Sequence, residues 1–176
     1  MRSLFIHSRN VLMRSAFTGC ILGLCLVALP GLSAAAVTAS DYRESLLEIY
    51  GKYQGMLAIR DACNAGFPST RAATDRAFAA WQARHSKTHV ELDQRIALMI
   101  RMYSKDDKDY ARLFGKYQGA FLKQRDEAKQ ALLENKLDLE VRCKAFPQFL
   151  ESRESDLEAE FAQDWLVLRQ WPLPPK

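Results

Sequence analysis

Histidine is scarce in this chain: three residues in 176, of which only His85 and His89 lie beyond the first 36. A closed zinc site takes four ligands, so histidine alone cannot build one here. The H-E-x-x-H pattern of zinc proteases is missing, as are G-x-S-x-G, the P-loop and the dinucleotide fingerprint. No C-x-x-C-H segment exists to attach haem, and nothing singles out Met56, Met99 or Met102 as an axial ligand. No cofactor is expected, and no catalytic residue is assigned.

Charge of one sign is lacking too. The formal net charge of +4 includes Arg2, Arg9 and Arg14, so residues 37–176 carry 22 basic against 21 acidic side chains. Nucleic-acid recruitment needs clustered Lys and Arg on one face, and a net of about +1 supplies no such field. Nor does any segment alternate apolar and polar residues, which removes the usual signal for a half-buried strand.

What is present begins with the N-terminus. Three arginines and no acidic residue before Asp41 precede the apolar run "AFTGCILGLCLVAL", then Pro30-Gly31 and "LSAAAVTA". A basic start, an apolar middle and a small-residue exit read as a secretory signal peptide over residues 1–36. Cleavage is expected after Ala36 or Ala39. The alternative is an uncleaved anchor, since residues 16–37 approach the length of a bilayer span. Pro30-Gly31 and the alanine-rich exit argue against it. Lipid attachment fails as well, because Cys20 comes early and Cys25 follows bulky Leu24. The chain is therefore expected to be periplasmic or secreted, with no stable membrane insertion after cleavage.

Of four cysteines, Cys63 and Cys143 outlast that cleavage. In an oxidising compartment an even pair in a small exported domain reads as a disulfide, here closing a loop of about 80 residues. Two free buried thiols are the competing reading.

Residues 37–171 read as one helical domain of ordinary size, followed by a proline-rich tail at 172–176. A first helix is expected from Ser40-Asp41, capped with Glu44, with Tyr42, Leu46, Ile49, Tyr53 and Met56 on one face. It stops at "CNAGFPS". A second runs from about Thr70 to Tyr103, with a near-heptad seam through Phe78, Trp81, His85, Leu92, Ile96, Met99 and Tyr103. A third starts from a Ser104–Asp107 cap and frays near Glu134–Lys136 or runs on to Cys143. A fourth follows Phe146-Pro147 and uses Leu150, Leu157, Phe161, Trp165 and Leu168. The expected fold is all-α, an elongated up-down four-helix bundle. In that topology the first and third helices end at one pole, so Cys63–Cys143 would staple two hairpins there.

The pentapeptide "GKYQG" occurs twice, at Gly51–Gly55 and Gly115–Gly119. Each copy follows an aromatic residue and precedes an Arg-Asp pair. Mid-helix glycine costs about 1 kcal/mol relative to alanine, so four of them suggest that helices approach closely through Gly51, Gly55, Gly115 and Gly119. The two copies would meet only if the third helix breaks near Glu134–Lys136. Duplication of a hairpin, separate packing of each copy and coincidence all remain open.

The candidate sites are few. His85 and His89, spaced i, i+4, can grip one metal ion, against the alternative of two half-exposed rings beside the seam. The acidic run Glu151, Glu154, Glu158 with Arg153 reads as a solvated face. Tyr50, Tyr53, Tyr117 and Trp171 are candidate partner-binding residues, since Tyr and Trp are enriched at binding hot spots. The tail "WPLPPK" suits polyproline docking, unless Trp171 folds back on the bundle. The functional expectation is an exported protein that acts by binding another exported protein, as an adaptor, chaperone or inhibitor, and is itself a monomer or homodimer. The alternative is a carrier of a small ligand or metal, in the bundle interior or at the histidine pair.

Overall fold

The computed structural model describes residues 37–173; the predicted signal peptide and the last three residues of the tail lie outside them. Among the described residues there are seven α-helices and no strand: α1 Ala39–Gly66, α2 Arg71–Arg84, α3 Ser86–Met102, α4 Asp107–Glu134, α5 Lys136–Glu151, α6 Leu157–Glu160 and α7 Ala162–Arg169. The all-α expectation holds, but four helices become seven.

Local chemistry explains the added ends. At His85 the backbone relaxes to φ −104° and ψ 21°, dividing the expected second helix into α2 and α3. The hydrogen-bond ladder survives there, His85 N donating to the Trp81 carbonyl at 3.1 Å and His89 N to the His85 carbonyl at 3.0 Å. The division is a kink, not a gap. Asn135 ends α4 and caps α5, its side chain accepting from Asp138 N at 3.3 Å. Pro147 was expected to precede a helix; it lies inside α5 instead. Proline has no N–H for the carbonyl four residues back, yet one such loss is tolerated where packing holds the turn.

Two caps differ from expectation as well. Thr38, not Asp41, caps α1: Asp41 N donates to Thr38 Oγ1 at 3.2 Å, and Thr38 N donates back to Asp41 Oδ2 at 2.8 Å. Asp106, not Ser104, caps α4 by accepting from Asp109 N at 2.8 Å. Each reciprocal or single bond satisfies an amide that the helix itself leaves unpaired.

Long-range pairs set the helix directions. Asn64 bonds Asp75, Tyr53 stacks on Trp81, and Tyr42 Oη donates to the Arg95 carbonyl, so α2 and α3 run back along α1. Cys63 joins Cys143, Lys52 pairs with Glu160, and Tyr42 meets Trp171, so α5, α6 and α7 also run back along α1. α4 runs parallel to α1, with Tyr50 against Phe121 and Asp61 paired to Arg125.

The core lies along α1, which touches each of the other six helices. Tyr42, Leu46, Ile49 and Met56 of α1 meet Phe78 and Trp81 of α2, Ile96 and Met99 of α3, and Trp165 and Leu168 of α7. α4 behaves differently. Of its 28 residues only Phe121 is buried. The sulfurs of Cys63 and Cys143 are bonded, 2.05 Å apart, within a smaller cluster with Ala62 and Leu139.

Candidate functional site

The repeated pentapeptides make the first test. Built onto Gly51, Gly55, Gly115 or Gly119, a Cβ atom meets no heavy atom within 4 Å. No backbone approaches these glycines, and the close-packing expectation is corrected. The copies do run alongside each other, because the break at Asn135 turns the chain back. Asp61 and Arg125, which pair across the helices, are 64 residues apart, the same spacing that separates the two pentapeptides. Burial pushes the Asp61 carboxyl up, but hydrogen bonds from Arg125 and Arg60 outweigh it and hold the group below its usual range.

Open space beside the first copy is a groove of about 900 Å³ between α1, the end of α4 and α5. Small residues line part of it, Gly51, Gly55 and Ala58 from α1, Ala128 and Ala131 from α4 and Ala145 from α5, beside the larger Met56, Ile59, Leu132, Leu139 and Phe146. Phe149 and Lys52 stand at one end, and Lys52 is already paired to Glu160 at 2.7 Å. Asn135, Asp138 and Arg142 stand at the other. Asp138 accepts from Asn135 Nδ2 at 2.6 Å.

The second copy lies on the outward side of α4. Ala111, Phe114, Gly115, Gly119 and Leu122 are all exposed, and their spacing puts them along one flank of the helix. Phe114 is 37% and Leu122 56% exposed, large apolar side chains that the fold leaves uncovered.

The histidine pair sits in an aromatic cluster. His89 packs 4.7 Å from the Trp81 ring and 4.9 Å from Tyr53, and His85 lies 5.5 Å from Trp81. His89 Nε2 is buried without a hydrogen-bond partner. Burial, with a smaller push from His85, drives its imidazole down to about 4. Among the described residues no three His, Cys, Asp or Glu side chains gather where a metal could be held. The pair brings two nitrogens, and no third such donor gathers beside it among the described residues.

The four aromatic candidates divide. Tyr50 is buried, its ring 4.5 Å from Phe121, and is core, not surface. Tyr53 is half-buried in the Trp81–His89 cluster. Tyr117 is half-buried beside Phe121. Trp171 folds back 5.8 Å from Tyr42. None of the four stands free.

One arrangement was missed by the sequence reading. Arg95 is buried at 3% exposure. Its guanidinium donates to Glu91 Oε1 at 2.6 and 2.9 Å and to the carbonyls of Leu168 at 2.6 Å and Trp171 at 3.2 Å. Arg169 joins Glu91 at 3.6 Å and Glu158 at 2.9 Å, and Thr88 donates to Glu158 at 2.8 Å. Hydrogen bonds from Arg169 lead the effects that hold Glu158 below its usual value. The network closes the end of α7, and its groups are spent on one another. It offers no free acid or base. The one available signal was position: Arg95 falls between Leu92, Ile96 and Met99 on the apolar seam.

No protein-family model matches this chain, and comparison with curated proteins and with solved structures finds no match.

Proposed function

We propose that this chain is an exported helical bundle protein that acts by binding another exported protein through the outward flank of α4. In this reading residues 1–36 direct export and are removed. The kinked pair α2–α3 and the three helices α5–α7 each serve as one stem of a four-stem bundle, and the disulfide staples it for an oxidising compartment. The observation that carries the reading is the imbalance of α4: 28 residues with a single buried side chain and an exposed flank holding Phe114 and Leu122. A helix gains most of its stability from burying one face, and a contiguous exposed apolar patch marks an interaction surface. Gly115 and Gly119 on that flank let a partner's backbone come close.

The reading is tested with Phe114→Glu and Leu122→Glu. Exposed sites away from the core change stability by about 0.5 kcal/mol or less. Unfolding midpoints should stay put, while association with the physiological partner falls at least tenfold. Retained association with both charges in place would refute the α4 flank as the interface.

A second reading, a carrier of a small apolar ligand, is favoured by the groove between α1, α4 and α5. Its volume and apolar lining lie within the range of small-molecule sites. The histidine pair plays no part in it.

A further inference from the structure

Resting on that second reading, we propose that the groove binds a single-chain anionic amphiphile, with the carboxylate at Arg142 and the alkyl chain over Gly51, Gly55 and Ala131. The groove is apolar along its floor and polar at the Asn135–Arg142 end. Gly51, Gly55, Ala128 and Ala131 leave a trough between the larger apolar side chains of Ile59, Leu132 and Phe149. The absence of any heavy atom within 4 Å of a Cβ at Gly51 or Gly55 shows that the trough reaches the α1 backbone. A flexible alkyl chain, without polar groups of its own, suits such a surface better than a peptide whose amides would need partners.

Charge selects the headgroup. Two cations line the groove, and they differ in availability. Lys52 is bound by Glu160 at 2.7 Å, whereas Arg142 pairs with no carboxylate among the described residues. Asp138, one helical turn before Arg142, is the lining anion, and it is engaged by Asn135 at 2.6 Å. A planar guanidinium matches a carboxylate with two parallel hydrogen bonds, so the open cation of the groove is also the better one for this headgroup. From Arg142 to Phe149 the α5 wall runs about 10 Å at the helical rise, which sets the length of chain it can cover.

The test uses the oxidised chain from residue 37 onward, titrated calorimetrically with dodecanoate, dodecyl maltoside and dodecyltrimethylammonium, each below its micelle concentration. Dodecanoate should bind at one per chain, at least tenfold tighter than either other probe. Arg142→Gln should remove the preference for the carboxylate, and Asp138→Asn should strengthen it. Gly55→Leu should abolish binding, with an unchanged helical spectrum showing that the fold persists. Equal binding of all three headgroups, or binding indifferent to Arg142→Gln, would overturn the proposed ligand class while leaving the carrier reading standing. Failure of every alkyl probe to bind, or binding untouched by Gly55→Leu, would overturn both.

Discussion

His89 is the residue whose surroundings depart furthest from its ordinary chemistry. Its ring packs against Trp81 and Tyr53, and burial lowers its proton affinity from an ordinary value of 6.5 to about 4. Above pH 6.5 the imidazole is neutral in both folded and unfolded chains and contributes no pH dependence. Between 6.5 and about 4 the unfolded chain takes up the proton first, so stability falls as pH falls through that window. The loss is on the order of 1–2 kcal/mol once the part of the ring that water reaches is discounted. Replacing His89→Leu should flatten the stability profile between pH 7 and pH 5, read as urea midpoints at the two values. A wild-type midpoint that does not move between them would contradict the burial. Asp41 and Asp61, whose carboxyls are held below their usual range, lose their contribution only lower, as pH falls below about 4.

The helices show what could be read from the sequence and what could not. Apolar spacing in α1 placed Tyr42, Leu46, Ile49, Tyr53 and Met56 on one face; four of them lie in the core and Tyr53 is half-buried at its edge. Periodicity marks a face, however, and is blind to a kink that keeps the hydrogen-bond ladder intact, as at His85. Pro147 misled for a related reason: proline is a strong local stop, but the packing of Phe146 and Leu150 on either side carries the helix through it. The glycines misled in the other direction. Spacing alone cannot distinguish a residue that is small because a neighbour presses on it from one that is small beside empty space. Because the space is empty, Gly115→Ala and Gly119→Ala should each stabilise the protein by roughly 0.5–1 kcal/mol through helix propensity. Calorimetric melting would check this; a loss of stability would mean that a backbone does pack there.

At the scale of the whole molecule, the disulfide was the most legible feature and the groove the least. Two surviving cysteines pointed to Cys63–Cys143, which the structure joins, although Cys143 lies inside α5 and not just past the end of the helix that runs parallel to α1. The groove depends on three helices meeting, and the turn at Asn135 that brings α5 back was only half visible as a fraying point. Protein recovered from the export compartment should begin at Val37 or Ser40 and weigh two hydrogens less than after reduction. Reduction should then cost roughly 4 kcal/mol of stability in the chain-entropy picture of an 80-residue loop. A full-length mass retaining residues 1–36 would contradict export with cleavage. The most direct measurement places a photo-crosslinking amino acid at Gln118, in the middle of the outward flank of α4, and at Lys87, exposed on α3, in cells that export the protein. The account predicts a discrete adduct with one other exported protein from position 118, lost with Phe114→Glu and absent from position 87. The same adduct from both positions, or none from position 118, would contradict it.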